Sequence, residues 1–270
     1  MSGTAGATFC LASTLPGLCR VSAVSGPPEF YDARLVAIYD SANAYGPESQ
    51  PAFYRQLAAD LRASSIIDLG CGTGMITCEL AALGYDMIGV DPAPEMLKVA
   101  RMRPKADKVT WIEGDVHGLG RQDADLAIMT GHVAQFFVSD TSWSSALAAL
   151  RIALRPGGHL AFESRNPTVR EWEDWTPQKR RVVDDPEAGL IERWPEVHEV
   201  QDGVVSYTIH NLFLATGEEV LAPTRIRFRS QDELTGSLRE AGFTVENIYG
   251  DWDRQPASPS SRELIYVASR

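Results

Sequence analysis

The chain contains the segment Ile66-Ile67-Asp68-Leu69-Gly70-Cys71-Gly72-Thr73-Gly74, in which β-branched residues run into an acid and glycines then occupy every second position. An apolar run from Met75 to Leu83 follows. This order of residues predicts a strand, a tight turn and a helix. Glycine permits positive φ and lets a backbone approach a ligand without a Cβ in the way. A cofactor is therefore predicted to lie across the turn.

The spacing of the glycines distinguishes two kinds of cofactor. A dinucleotide-binding fingerprint has its third glycine three residues after the second, where the helix packs beside a pyrophosphate. That position is Met75 here, and the third glycine comes earlier, at Gly74. An acid followed by Gly-x-Gly-x-Gly resembles the first motif of the class I S-adenosylmethionine-dependent methyltransferases. The resemblance implies S-adenosylmethionine as cofactor, which has no phosphate and needs no anion cradle.

Two later apolar segments also end in an acid. Met87-Ile88-Gly89-Val90-Asp91 comes about 20 residues after the first, the distance at which an acid can accept both ribose hydroxyls. Val109 to Asp115 is the second segment, and in the resembled family its terminal acid takes the adenine amino group. The resemblance implies a cofactor-binding set made of Tyr39, Asp68, Gly70, Cys71, Gly72, Asp91, Pro92, Met96, Gly114, Asp115, Val116, Thr130 and Gly131.

The order of the segments predicts the architecture. Strands near 66–69, 86–91, 109–113, 125–130 and 158–164 are predicted to alternate with helices near 75–83, 94–101 and 141–154. Such alternation predicts an α/β protein, doubly wound around a mostly parallel sheet, with the cofactor at one sheet edge. Pro156-Gly157-Gly158 is predicted to be a turn before the fifth strand. The resemblance implies seven strands, the last of them antiparallel.

The chain is predicted to have a core in two parts and an inserted subdomain. We expect the core to comprise residues 29–168 and 231–270, which the resemblance covers. Residues 169–230 read as an antiparallel β-subdomain, with a strand at 205–213 and a return strand at 220–228. Arg225, Arg227 and Arg229 then share one face, and a solvated face is the default interpretation.

Two helices are predicted at the starts of the two core segments, one near residue 30 and one near residue 230. Apolar residues from Phe30 to Tyr39 recur at helical spacing. In the resembled family such a helix folds over the cofactor as a lid, which implies contacts from Tyr31, Arg34, Tyr39 and Tyr45. Ser230-Gln231-Asp232-Glu233 is a capping box that predicts the start of a helix.

Composition limits the partners. The chain has 270 residues, 44% of them hydrophobic, and a formal net charge of −11. An acidic surface repels phosphate backbones, so a small molecule is a better acceptor than a nucleic acid. The sequence has no apolar run long enough to span a membrane and no metal-binding spacing of Cys or His. We therefore expect a cytoplasmic protein without a metal, with residues 1–28 as a disordered extension. A homodimer stays open.

The loop after the fourth strand, residues 130–137, passes the methionine end of the cofactor in the resembled family. His132 is the side chain there that can take a proton near neutral pH, which favours a general base. The alternative is that His132 caps the next helix or bonds a carbonyl. Gln135 and Phe136 are predicted either to contact the acceptor or to pack the helix.

Three more side chains are candidates for acceptor binding. Arg165 follows the fifth strand and can fork onto a carboxylate or phosphate, or pair with Glu163 or Asp174. Trp172 and Trp175 can wall a substrate pocket or form the core of the inserted subdomain.

The sequence thus predicts an enzyme that transfers a methyl group from S-adenosylmethionine to a small organic acceptor. Two alternatives share the cofactor: a protein or RNA methyltransferase, and a non-catalytic S-adenosylmethionine-binding protein. A nicotinamide-dependent oxidoreductase is disfavoured by the position of Gly74 and by the lack of basic residues near the turn.

Overall fold

A computed structural model of the protein describes residues 27–43 and 49–270. Two sheets organise these residues: one of seven strands and one of four. The helices are α1 (Pro28–Tyr31), α2 (Ala33–Ala37), α3 (Tyr39–Ala42), α4 (Ser49–Asp60), α5 (Met75–Ala82), α6 (Pro94–Ala100), α7 (Asp140–Ala153) and α8 (Gln231–Glu240).

The seven-stranded sheet forms the core. Its strands are β1 (Ser65–Leu69), β2 (Asp86–Asp91), β3 (Val109–Glu113), β4 (Ala124–Met129), β5 (Leu154–Arg165), β10 (Thr244–Tyr249) and β11 (Glu263–Ser269). The strand order is β10-β11-β5-β4-β1-β2-β3, and β11 runs antiparallel to both of its neighbours. The predicted fold class is confirmed. The carboxyl ends of β1 to β5 and the amino end of β11 therefore meet at one sheet edge.

The sheet is covered on both faces, as the apolar composition of its strands requires. One face packs against α7 and α8 around a cluster that contains Trp143, Leu147 and Leu238. The other packs against α4 and α5 around Tyr54, Leu57 and Leu80. The predicted capping box begins α8, where the Ser230 side chain accepts from the Glu233 amide. No helix of the described ranges is both long and apolar enough to cross a membrane.

Two predictions about local structure were wrong. The amino-terminal helix is divided into α1, α2 and α3. Asp32 is extended between α1 and α2, and its side chain caps α2 by accepting from the Arg34 amide. Ile38 departs from helical geometry between α2 and α3. The segment Pro156-Gly157-Gly158 lies within β5 and is not a turn before it. The pairing of β4 with β5 shifts register between Ala124 and Leu126, which accommodates the extra residues as an irregularity.

The second sheet, here called the inserted sheet, is antiparallel with the order β6-β7-β8-β9. Its strands are β6 (Arg181–Asp185), β7 (Gly189–Gln201), β8 (Val204–Phe213) and β9 (Glu218–Arg227). The hairpin of β8 and β9 was predicted. The strands at 181–201 were not predicted, because charged residues and Pro195 obscure the alternation there.

The predicted solvated face of the three arginines is wrong for Arg229. That side chain is 2% exposed, and its guanidinium donates to Asp140 Oδ1 (3.3 Å) and lies over the Trp143 ring. Arg227 pairs with Glu233 (3.1 Å), and Arg225 is exposed. Arg227 and Arg229 thus connect the carboxyl end of β9 to α8 and α7 of the core.

Helices α1 to α3, here called the lid, lie between the inserted sheet and the core. Leu35, Ile38 and Ala42 pack on Ile191 and Ala222 of the inserted sheet. Val36, on the opposite side of α2, packs against Ala93 and Met96 beside β2. The lid is therefore held from both sides at the edge where the strands of the core end.

Candidate active site

A first cavity of about 520 Å³ lies at the carboxyl edge of the core sheet. Residues of the lid line one side of it, and the turn after β1 lines the opposite side. Most of the predicted cofactor-binding residues line it, namely Tyr39, Gly70, Cys71, Gly72, Asp91, Pro92, Met96, Asp115, Val116, Thr130 and Gly131. The residues from Gly70 to Gly131 are brought together because parallel strands end at the same edge, and Tyr39 reaches the cavity from the lid.

Gly70 and Gly72 of the turn are required to be glycine for different physical reasons. Gly70 has φ +76°, and an added Cβ would come within 2.4 Å of the Val133 side chain. Gly72 has φ +54°, and an added Cβ would meet nothing within 4 Å. Gly70 is therefore required by packing of the turn against the loop after β4. Gly72 instead keeps the backbone bare on the side of the first cavity, where a ligand can approach it.

Asp91, the last residue of β2, is fixed by the backbone around it. Its Oδ2 accepts from the Gly72 amide (2.8 Å) and its Oδ1 accepts from the Ala93 amide (2.8 Å). Burial raises the pKa of Asp91, although the two amide hydrogen bonds act in the opposite direction. Each carboxylate oxygen has a further lone pair, so the side chain can accept two hydroxyl groups from the first cavity.

Asp68 and Gly114 do not line the first cavity. Asp68 lies behind the turn, 1% exposed, and its Oδ2 accepts from the Thr77 hydroxyl (2.6 Å). Its Oδ1 is buried and has no hydrogen-bond partner among the residues that the structure describes. Burial raises the pKa of Asp68 to about 7, with smaller contributions from Asp91 and Glu163. The Gly114 amide donates to the Asp91 carbonyl (3.0 Å).

A second cavity of about 440 Å³ adjoins the first. It lies between the lid, the loop after β4, the end of β5 and the inner face of the inserted sheet. The residues that line both cavities are Phe30, Tyr39, Asn43, Gly131, His132, Phe136, Arg165 and Arg181. These residues are here called the shared wall. The two cavities meet along it, so a ligand in one cavity can contact a ligand in the other.

His132 lies on the shared wall, and its imidazole is oriented by a residue of the last strand. Nε2 is 3.0 Å from Glu263 Oε2 and 3.1 Å from Oε1. Burial alone would raise the pKa of Glu263, but the charge and hydrogen bond of His132 outweigh it, so the pKa is lowered. In the neutral imidazole, Nε2–H donates a hydrogen bond to the ionised Glu263 carboxylate, which leaves Nδ1 as an acceptor.

The backbone at His132 is held in an unfavourable conformation. His132 has φ +62° and follows Gly131 with φ +69°. A non-glycine residue in this region costs about 1–2 kcal/mol. The cost is offset by Glu163, which is 0% exposed and accepts from the His132 amide (3.1 Å), Gln50 Nε2 (2.9 Å) and the Tyr54 hydroxyl. Burial raises the pKa of Glu163. The alternative in which His132 caps the next helix is wrong, because its side chain makes no cap.

The predicted acceptor residues occupy different places. Phe136, Arg165 and Trp175 line the second cavity. Gln135 is 1% exposed, and its Oε1 accepts from Arg165 Nη1 (2.9 Å). Trp172 packs edge-to-face on Phe228, with ring centroids 4.5 Å apart, outside both cavities. The predicted pairing of Arg165 with Glu163 or Asp174 is wrong, because its carboxylate neighbour is Glu171 at 3.9 Å.

The lid residues are also divided. Tyr31 lines the first cavity, and burial with the charge of Asp91 raises the pKa of its hydroxyl. Arg34 points away and pairs with Asp32 and Glu218, so the implied cofactor contact is wrong. Tyr45 lies outside the described residues, as do residues 1–26 of the expected disordered extension.

Sequence reasoning missed Glu263 and the inserted-sheet side of the second cavity. Glu263 pairs with Arg165 in the register of β11 and β5. Because the last strand was expected to be antiparallel, its first residue had to reach the edge where β5 ends, and this signal was available. Arg181, Arg193 and Tyr207 had no such signal, because strands of the inserted sheet find their position only through tertiary packing.

The residues of the first cavity fit S-adenosylmethionine. The bare backbone at Gly72 leaves room for a nucleoside, and Asp91 offers acceptors for a ribose. Behind the turn, outside the cavity lining, the unpartnered Oδ1 of buried Asp68 suits a nearby positive charge. A pyrophosphate does not fit, because the cavity is lined by carboxylates at Asp40, Asp91 and Asp115 on this side.

The chain resembles known methyltransferases in sequence and fold. Residues 66–158 match a family described as a methyltransferase domain. The cypemycin N-terminal methyltransferase of a Streptomyces species is 25% identical, over 90% of this chain and 98% of that protein. The ubiquinone biosynthesis O-methyltransferase of Acinetobacter baylyi is 31% identical, over 41% of this chain and 48% of its own length.

A solved structure agrees with the sequence matches. An S-adenosylmethionine-dependent methyltransferase from Clostridium acetobutylicum superposes with a TM-score of 0.74 at 16% identity, over 87% of this chain and 97% of that chain. At this identity the likeness concerns the fold. Together with the glycine-rich turn and Asp91, these findings exclude the oxidoreductase alternative. The chain contains a methyltransferase domain in a class I methyltransferase fold, and the matches support an S-adenosylmethionine-dependent methyltransferase whose cofactor is S-adenosylmethionine.

Proposed function

We propose that the enzyme methylates a nitrogen or oxygen atom of a small organic molecule bound in the second cavity. The observation that carries this proposal is the shared wall, at which a pocket of about 440 Å³ adjoins the cofactor-binding cavity. A pocket of this size suits a small ligand and not an extended polymer. The relatives' names refer to N-terminal and to O-methylation, which supports either acceptor atom.

We further propose that residues 169–230 form the acceptor-binding subdomain and that residues 29–168 and 231–270 bind the cofactor. Tyr207, Ile209 and Ile226 of the inserted sheet line the second cavity. Glu171 and Trp175, which precede that sheet, line it as well. The cofactor-binding side chains come from the core and the lid. Variation in the inserted sheet would then change the acceptor without disturbing the cofactor.

S-adenosylmethionine supplies a methyl group on a positively charged sulfur, which is already an activated leaving group. The protein therefore has to align the acceptor, exclude water and take up one proton. Residues of the lid and of the inserted sheet line the second cavity beside the shared wall. His132 lies on this wall, and its Nδ1 makes no hydrogen bond within the described ranges, so Nδ1 accepts the proton that the acceptor atom loses on methylation.

Ligand-dependent melting tests the cofactor and the reading of the turn together. S-adenosylhomocysteine at about 100 times its dissociation constant should stabilise the protein by roughly 2.7 kcal/mol, or roughly 5–10 °C in Tm. NAD should give no shift. A panel of small amines, phenols and hydroxy acids is then screened for release of S-adenosylhomocysteine. Stabilisation without turnover of any compound, but with turnover of peptides or RNA, would overturn the small-molecule proposal.

Asp68 gives a pH-dependent prediction. Its raised pKa means that the native state holds a proton that the unfolded state releases between about pH 4 and 7, so its contribution to stability falls as the pH rises through this window. Binding of the cofactor's ammonium favours the ionised carboxylate. S-adenosylhomocysteine should therefore bind about tenfold more tightly at pH 8 than at pH 6, because about one tenth of Asp68 is ionised at pH 6.

Calorimetric titration at both pH values checks this expectation. Asp68→Asn should bind weakly and remove most of the difference between the two pH values. Thr77→Val is the matched variant, because it removes the hydrogen bond that favours the carboxylate and should move the dependence to higher pH. Equal affinity of the wild-type protein at pH 6 and pH 8 would contradict a role for Asp68 in binding.

A further inference from the structure

The second cavity is basic in an acidic protein. Four basic side chains line it, those of Arg165, Lys179, Arg181 and Arg193, against the two carboxylates of Glu29 and Glu171. The whole chain carries a formal net charge of −11. A local excess of positive charge inside a pocket, where the dielectric constant is low, acts strongly on the ligand that enters it. The positive charge of the second cavity therefore favours a ligand that carries negative charge.

Two of the four basic groups are engaged elsewhere. Arg193 is 5% exposed and donates to Asn211 Oδ1 (2.6 Å), the Ala42 carbonyl (3.0 Å) and Glu29 Oε1 (3.2 Å). These bonds tie the inserted sheet to the lid. Lys179 is mostly exposed and lies 3.7 Å from Asp174. Neither group is available to hold a ligand inside the cavity.

Arg181 is also partly exposed, but unlike Lys179 it lines both cavities. Its guanidinium donates to the Ala42 carbonyl, and within the described ranges no carboxylate lies within ion-pair distance of it. Burial and the neighbouring charge of Arg193 lower the pKa of Arg181, against the charge of Glu29. An arginine does not give up its proton in a protein, so it remains a charge that lacks a full counter-ion. Its position on the shared wall makes a ligand anion a suitable partner.

Arg165 lies on the same wall with part of its guanidinium free. Gln135 accepts from Nη1, while Glu171 stays 3.9 Å from Nε and lies closer to Arg262, at 3.1 Å. The Arg165 guanidinium also lies 5.5 Å from the centroid of the Trp175 ring. Glu171 is thus shared with a surface arginine, and the planar fork of Arg165 can still bind an oxyanion.

The remaining walls of the second cavity are aromatic and apolar, from Phe30, Phe136, Trp175, Trp194 and Tyr207. We propose that the acceptor is a small aromatic or similarly flat molecule with a carboxylate or phosphate group, and that Arg181 and Arg165 bind this anionic group. This inference rests on the proposed methylation of a small molecule in the second cavity. It adds the charge of the acceptor and the residues that recognise it.

The test compares three probes of one shape on the protein saturated with S-adenosylhomocysteine. Benzoate and phenyl phosphate carry the anion, and benzamide is the neutral isostere of benzoate. Binding is followed by quenching of tryptophan fluorescence and by calorimetry. We expect one or both anions to bind at least tenfold more tightly than benzamide, and the tighter of the two identifies the anion as carboxylate or phosphate.

Two variants assign the effect to the proposed residues. Arg181→Gln and Arg165→Gln should each weaken anion binding about tenfold or more, because each removes a charge-assisted hydrogen bond. Arg225→Gln is the control, because that arginine is exposed and lies outside both cavities. All three variants should keep the wild-type melting point and the wild-type affinity for S-adenosylhomocysteine.

Several results would overturn the inference. One is equal binding of benzamide and benzoate, another is no binding of either anion, and a third is unchanged anion binding in Arg181→Gln. Loss of S-adenosylhomocysteine affinity in Arg181→Gln would assign this arginine to the carboxylate of the cofactor instead. Failure of the proposed function looks different, because methylation would then be found only on peptides or RNA, while benzoate or phenyl phosphate would still bind in a way that depends on Arg181 and Arg165.

Discussion

Replacing Asp91 by alanine is expected to weaken S-adenosylhomocysteine binding by about 100-fold or more. The carboxylate offers hydrogen bonds to both ribose hydroxyls, and hydrogen bonds to a charged group contribute about 1.5–3 kcal/mol each. The same side chain accepts from the amides of Gly72 and Ala93, so its loss also releases the turn that lines the first cavity. Calorimetric titration of the variant measures the combined effect.

The neighbouring residues provide the controls for this prediction. Asp86 is at the exposed start of the same strand, so Asp86→Ala removes an equal charge and should leave the affinity unchanged. Asp91→Asn keeps the shape of the side chain and one acceptor oxygen, and should lose less affinity than Asp91→Ala. An affinity of Asp91→Ala within threefold of the wild type would show that the cofactor does not use this carboxylate.

Replacing His132 by alanine is expected to lower kcat by about 10²–10⁴, the usual contribution of a positioned general base. The affinity for S-adenosylhomocysteine should change little, because Gly131 and Thr130 contact the first cavity through the same loop without the imidazole. The rate is measured on an acceptor that the panel identifies. Added imidazole should restore part of the activity by occupying the space of the lost ring.

Glu263 is a positioning residue in this scheme, since it acts on the acceptor only through His132. Glu263→Gln keeps a hydrogen-bond partner for Nε2 but not the charge, whereas Glu263→Ala loses both. We expect kcat to fall in the order wild type, Glu263→Gln, Glu263→Ala, with KM for the acceptor nearly constant. A full-rate His132→Ala enzyme would mean that the acceptor is already deprotonated when it binds, and that His132 only shapes the wall.

The core of the fold was predictable because its signals are local. Apolar runs such as Ile66–Leu69 and Met87–Asp91 are short, β-branched and followed by turn residues, so each strand is specified by its own sequence. Because β1, β2 and β3 are parallel, Asp91 at the end of β2 and Asp115 just after β3 must lie at the same edge of the sheet. The strand β5 was misplaced by four residues at its start, since Pro156 and Gly157 look like a turn and are instead absorbed by a register shift in the sheet.

The lid and the inserted sheet were less predictable because their signals are not local. The resemblance implies that Arg34 contacts the cofactor, yet this side chain pairs with Glu218, a residue 184 positions later. Gln135 and Trp172 have the residue types of a substrate site, yet one supports Arg165 and the other packs on Phe228. The partners of Arg34 and Trp172 belong to the inserted sheet or to the segment that follows it, and no pattern in the chain shows where that sheet docks.

The cofactor and the reaction class follow from residues that lie close together in the chain, from Asp68 to Gly74 and on to Asp91, because a strand, a turn and a helix fix their relative positions. The acceptor cavity is different. His132 and Glu263 are 131 residues apart, and Arg181 reaches the same wall from a separate sheet. Their meeting depends on an antiparallel last strand and on packing of the lid between two sheets, which are properties of the assembled molecule and not of any one segment.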